Sequence, residues 1–67
     1  MKVTFRNNGK NEKKTYKTMM GVNNFINKKV QDYDLTLVDK KFQNTPIEVW
    51  VYKGGAGWEV TFHINKK

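Results

Sequence analysis

The sequence predicts an α+β domain with one helix packed on one face of an antiparallel sheet, in the order ββαβββ. Three observations predict it. Residues 47–64, IEVWVYKGGAGWEVTFHI, are two alternating runs joined by a glycine-rich turn, the strongest short-range hairpin signal a sequence carries. Residues 19–33 place Met19, Val22, Ile26, Val30 and Tyr33 at steps of three and four, with Phe25 widening the stripe. That is the period of a helix with one buried face. The connections among the last three runs are too short for crossovers, so these strands form a meander. Sixty-seven residues hold a single compact domain, 1–67, and a chain this short buries only roughly 60% of its unfolded surface. Two Trp, three Tyr and four Phe residues offset the low apolar fraction, because each aromatic side chain buries a large area.

Taken in order, residues 2–6, KVTFR, alternate Val3 and Phe5 against Lys2, Thr4 and Arg6 and form a first strand. Residues 7–13 are a polar turn containing Asn8-Gly9, and residues 14–17, KTYK, form a short second strand. A two-residue Asn-Gly turn sets Phe5 opposite Glu12, whereas a longer loop brings Tyr16 opposite Val3 or Phe5. The longer loop is the expected one. Thr18 is the expected N-cap, its hydroxyl accepting a backbone N–H of the first turn. Lys28 and Lys29 lie towards the C-terminal end of the helix, where positive charge suits the macrodipole. Gly21 weakens the first turn but permits a close approach by a neighbouring element. Residues 34–42, DLTLVDKKF, form a third strand with Leu35 and Leu37 to one side and Thr36 and Val38 to the other. Phe42 breaks that parity, so a bulge intervenes or the strand ends near Lys40. Asn44-Thr45-Pro46 is a turn.

In the final hairpin a loop at residues 54–57 sets Lys53 opposite Trp58, and Val51, Val49 and Ile47 opposite Val60, Phe62 and Ile64. The pairs beyond Lys53–Trp58 on that face are all apolar, which is what specifies a register when one face is buried. The other face then pairs Tyr52 with Glu59, Trp50 with Thr61, and Glu48 with His63. The expected core is Val3, Phe5, Leu35, Leu37, Ile47, Val49, Val51, Val60, Phe62 and Ile64 beneath the helical stripe. Residues 65–67 are expected to be a frayed basic tail.

The net charge is +7, from 13 basic against 6 acidic residues. Such an excess attracts polyanions such as nucleic acid or an anionic surface. Only Arg6 among the basic residues is Arg, and Arg is the residue favoured for bidentate recognition of phosphates and bases. Lys and Asn both have AT-rich codons, which accounts for part of the charge without a function. The Lys/Asn-rich, cysteine-free composition resembles that of small accessory proteins of phages and mobile elements. The absence of Cys excludes disulfides, thiolate chemistry and Cys-based zinc sites, and makes a cytoplasmic location the expected one. No apolar run approaches the roughly 18 residues of a membrane span, so no membrane partner is expected, and without a charged-then-apolar leader and small-residue cleavage site no signal peptide is expected either.

Enzyme signatures are missing. There is one His, no Cys and only six carboxylates, most of them in turns or flanks, and no catalytic residue, cofactor or metal site is expected. Gly54-Gly55-Ala56-Gly57 joins two strands, so it lacks the helix N-terminus that a phosphate cradle uses. His63 opposite Glu48 reads as a cross-strand ion pair rather than an acid/base device. The informative feature is the open sheet face, on which Trp50 and Tyr52 lie two positions apart with Thr61, His63, Thr36 and Val38 as expected neighbours. In single-strand nucleic-acid modules, such sheet aromatics stack on bases and flanking lysines hold the phosphates. Lys40, Lys41, Lys53, Lys66 and Lys67 supply the expected rim, and Glu48 and Glu59 oppose it. The leading expectation is a small basic non-enzymatic nucleic-acid-binding module. The alternative is a protein-interaction module using the same face, as a homodimer or as a small inhibitor of a host protein.

Overall fold

The computed structural model describes residues 1–66. The elements are β1 (Lys2–Asn7), β2 (Lys10–Thr15), α1 (Met19–Tyr33), β3 (Thr36–Lys41), β4 (Ile47–Lys53) and β5 (Glu59–Asn65). The five strands form one antiparallel sheet in the order β2-β1-β5-β4-β3. The expected α+β class, element order and C-terminal meander are therefore the observed ones. The last strand pairs with the first, which places β5 at the centre of the sheet.

The helix begins where Thr18 caps it, its hydroxyl accepting from the Gly21 N–H at 3.4 Å. It ends at Asp34, which turns left-handed at φ 53° and donates its N–H to the Val30 carbonyl, the αL ending common at helix C-termini. Val22, Phe25 and Ile26 are buried against Val3, Phe5, Val60, Phe62 and Ile64 of the sheet, and Met19 and Val30 flank them. Phe62 sits at the middle of this core, with ring centroids 4.9 Å from Phe5, 5.3 Å from Tyr52 and 6.4 Å from Phe25. The close approach at Gly21 comes from Tyr16, in the link between β2 and α1. A Cβ on Gly21 would lie 2.7 Å from that ring.

Three local expectations are corrected. The first hairpin uses the two-residue Asn8-Gly9 turn, and Phe5 does face Glu12. Both turn residues have positive φ, 50° and 82°, as a type I′ turn requires. The pairing wastes neither residue. Phe5 is buried by α1 and Phe62, while Glu12 accepts from the Lys29 Nζ of the helix at 3.0 Å. The same ammonium lies 5.4 Å from the Phe5 ring centroid, within cation–π range. In β3 the register shifts between Leu37 and Asp39, which is the anticipated bulge, and Leu37 and Val38 are both left exposed. The tail is not frayed at its start: Asn65 pairs with Lys2 and Ile47, and the Lys66 N–H donates to the Pro46 carbonyl at 2.8 Å. Lys67 lies outside the described residues.

The fourth correction decides which residues reach the open face. The final hairpin pairs Lys53 with Glu59, Tyr52 with Val60, Trp50 with Phe62 and Glu48 with Ile64, one residue away from the expected register. A slip of one moves a whole strand's side chains to the opposite face. Ile47, Val49 and Val51 therefore turn to the face opposite the helix, where Val51 stays buried at 7% exposure, and Glu48, Trp50 and Tyr52 face the helix. The turn is the cause. The Gly57 N–H donates to the Gly54 carbonyl at 3.0 Å and the Gly54 N–H to the Trp58 carbonyl at 2.9 Å, with Gly57 at φ 88°. That is the three-residue loop closed by a left-handed glycine, and it holds one residue fewer than the expected loop. Trp58 folds over Gly54, where a Cβ would meet the indole at 2.6 Å. The indole also packs edge-on against Tyr33. The slipped register sets the two largest side chains of β4, Trp50 and Tyr52, against the helix side while Val51 stays buried on the other face, and so removes more apolar area from water.

Candidate functional site: the open face of the sheet

Of the residues expected to form a binding face, Trp50, Tyr52 and Lys40 are on the helix side. Tyr52 is 8% exposed, and burial raises its phenolic pKa above the usual 10. Trp50 is partly buried against the core. Its Nε1 donates to Glu48 Oε1 at 3.0 Å, and the Lys40 ammonium lies 4.1 Å from its ring centroid. A ring committed in this way offers no free platform for a base. Glu48 is itself buried, at 6% exposure, and forms an ion pair with Lys66. The hydrogen bond from Lys66, then that from Trp50, hold its carboxyl below the usual range. Glu48 thus has no contact with His63, and neither Lys40 nor Lys66 forms part of a rim.

Thr61, His63, Lys41 and Lys53 do occupy the open face. The registers assemble it in rows that run across all five strands. One row is Lys13–Thr4–His63–Val49–Lys41, and the next is Asn11–Arg6–Thr61–Val51–Asp39. Lys2, Asn65 and Ile47 continue the pattern at one end. Lys53, Glu59 and Thr36 close it at the other. Among the described residues five cations and two carboxylates thus share the face. The carboxylates lie at its margins, Asp39 on the edge strand and Glu59 beside the turn.

The residues that sequence reasoning missed are Lys2, Thr4, Arg6 and Lys13. The alternation of β1 already turned Lys2, Thr4 and Arg6 away from Val3 and Phe5. Their place beside β5 depends on the β1–β5 pairing, which no local pattern reveals. Lys13 depends on the two-residue turn. Two shallow concavities on this face share Thr4, Lys13 and His63, one also lined by Lys2 and Ile47 and the other by Arg6 and Asn11. His63 is half-buried between β1 and β4. Desolvation, and then the charge of Arg6, push its pKa below the usual 6.5, so the imidazole is neutral at neutral pH.

At the β3–β4 corner the face becomes apolar. Phe42 adopts a left-handed φ of 60°, rare for a bulky residue, and the residue is 64% exposed. The Thr45 hydroxyl lies 2.6 Å from both the Phe42 and Ile47 carbonyl oxygens and pins this corner. Phe42, Pro46, Ile47 and Val49 line one apolar depression. Among the described residues no three His, Asp or Glu side chains converge to hold a metal ion, and no helix is long and apolar enough to cross a membrane. Comparison of the chain with protein-family models, curated proteins and solved structures returns no match, so the face is read from its own chemistry.

Proposed function

We propose that this protein is a non-enzymatic binding module that holds nucleic acid on the open face of its sheet, through phosphate contacts rather than base stacking. The observation that supports this reading is the cross-strand arrangement of Lys2, Arg6, Lys13, Lys41 and Lys53 around Thr4, Thr61 and His63. Lysine and arginine contacts to phosphates supply sequence-independent affinity that falls steeply with salt. Glu48, which would have opposed a phosphate on this face, is turned to the other side and neutralised by Lys66. With Trp50 and Tyr52 facing the helix, single strands gain nothing from stacking, and duplex is bound at least as well.

Fluorescence anisotropy with labelled duplex and single strand tests the reading. Arg6→Glu with Lys13→Glu removes two cations and adds two anions at the centre of the face. This double variant is expected to abolish binding at about 0.1 M salt. Lys17→Glu with Lys28→Glu, both exposed and outside the sheet, makes the same change of four in net charge without touching the face and is expected to retain most of the affinity. Equal losses from both variants would mean that charge alone, and no particular face, holds the ligand.

The apolar corner favours a second reading, a protein partner seated on Phe42, Pro46, Ile47 and Val49, a second copy included. Phe42→Ser is expected to abolish such an association while leaving duplex binding intact. Sedimentation of the wild type at high concentration separates the homodimer from a different partner.

A further inference from the structure

His63 is the only histidine in the chain, and its surroundings are unusual for a sheet surface. On β1 it faces Thr4 directly, with Lys2 and Arg6 as the diagonal neighbours, roughly 7–8 Å away and within reach of long side chains. Beyond Thr4, in the same row, β2 presents Lys13. On the other side β4 contributes only Ile47, Val49 and Val51, and β3 contributes Lys41 in the row and Asp39 one row away. Among the described residues no carboxylate is a direct or diagonal neighbour of the imidazole. A neutral ring walled by apolar residues on one side and cations on the other has one good partner, an anion placed among those cations. Both concavities on the face meet at Thr4, Lys13 and His63.

We propose that Thr4, Arg6, Lys13 and His63 form a subsite for one phosphate group, and that filling it draws a proton from solvent onto His63. The site rests on the reading that the open face binds nucleic acid and gives that reading a centre and a pH dependence. In it the Arg6 guanidinium and the Lys13 ammonium neutralise the phosphate, the Thr4 hydroxyl donates to one oxygen, and the imidazole donates to another. Without the anion, partial burial and then the Arg6 charge disfavour the imidazolium. With the anion in place, a negatively charged oxygen at hydrogen-bond distance from the ring offsets the repulsion from Arg6, and the imidazolium is favoured because an opposite charge within a few ångströms stabilises it. Proton uptake and phosphate binding are then linked, each strengthening the other by the same factor.

The test uses the wild-type protein, a short DNA duplex and inorganic pyrophosphate. The single imidazole is followed by NMR across its titration, free and with each probe. Saturating duplex is expected to raise the His63 midpoint by about one pH unit, which corresponds to tenfold tighter binding below the midpoint than well above it. His63→Gln is expected to bind with an affinity that no longer changes over the same range. Duplex binding with an unmoved His63 midpoint would overturn the subsite and leave the nucleic-acid reading standing. A midpoint raised by pyrophosphate in a protein that does not bind duplex would support the subsite for free phosphates and overturn the nucleic-acid reading. Failure to bind either probe at any pH would overturn both.

Discussion

At the scale of single residues, Glu48 shows how one polar group can be carried inside a small core. Its carboxylate accepts from the Trp50 indole and pairs with Lys66, which the backbone bond to Pro46 holds in place. Both oxygens are engaged, and among the described residues no buried side-chain N or O lacks a partner. Glu48→Gln keeps the shape and removes the charge. Hydrogen bonds to charged groups are worth about 1.5–3 kcal/mol, and a loss of roughly that size is expected in urea unfolding at neutral pH. The folded carboxyl sits below its usual 4.5, so its contribution is whole above that value. It is lost as the pH falls through the folded-state pKa. The gap between wild type and Glu48→Gln is therefore expected to close in acid. A gap that persists unchanged at low pH would mean that the carboxylate charge does not account for the loss.

At the scale of elements, the final hairpin separates what the sequence makes legible from what it hides. The helix is legible because one period runs through it, from the Thr18 cap to Tyr33, with no competing stripe. β5 is legible for the same reason: Val60, Phe62 and Ile64 are apolar, and Thr61 and His63 between them are not. β4 is different. Ile47, Val49 and Val51 make one parity apolar, and Trp50 and Tyr52 make the other aromatic, so both faces qualify for the core. The choice falls to the turn, where Gly57 adopts the left-handed conformation and shortens the loop by one residue. Half of the candidate site was legible through β5 and the flanking lysines. Arg6, Lys13 and their neighbours were not, because they are brought in by pairing between the chain's first and last strands. Two substitutions in β4 test the register. Tyr52→Ala is expected to cost about 3–5 kcal/mol, the loss typical of a buried aromatic. Val49→Thr is expected to cost under about 1 kcal/mol, because its side chain faces water and buries no new hydroxyl. Urea melts that reverse this order would restore the register in which Val49 lies over Phe62.

At the scale of the whole molecule, one helix and five strands leave one sheet face without cover. An antiparallel sheet normally turns polar residues to water on such a face, and this one turns Lys, Arg, Thr and His. The net charge of +7 draws polyanions from every side, whereas the proposed binding requires that the uncovered face, and not charge in general, make the contact. Amide NMR mapping tests this most directly. Duplex DNA titrated into the labelled protein is expected to shift the resonances of Thr4, Arg6, Lys13, Lys41, Thr61 and His63. Asn24, Lys28 and Gln31, on the exposed side of α1, are expected to stay in place. Shifts concentrated on α1, or spread evenly over every lysine-bearing surface, would contradict the account.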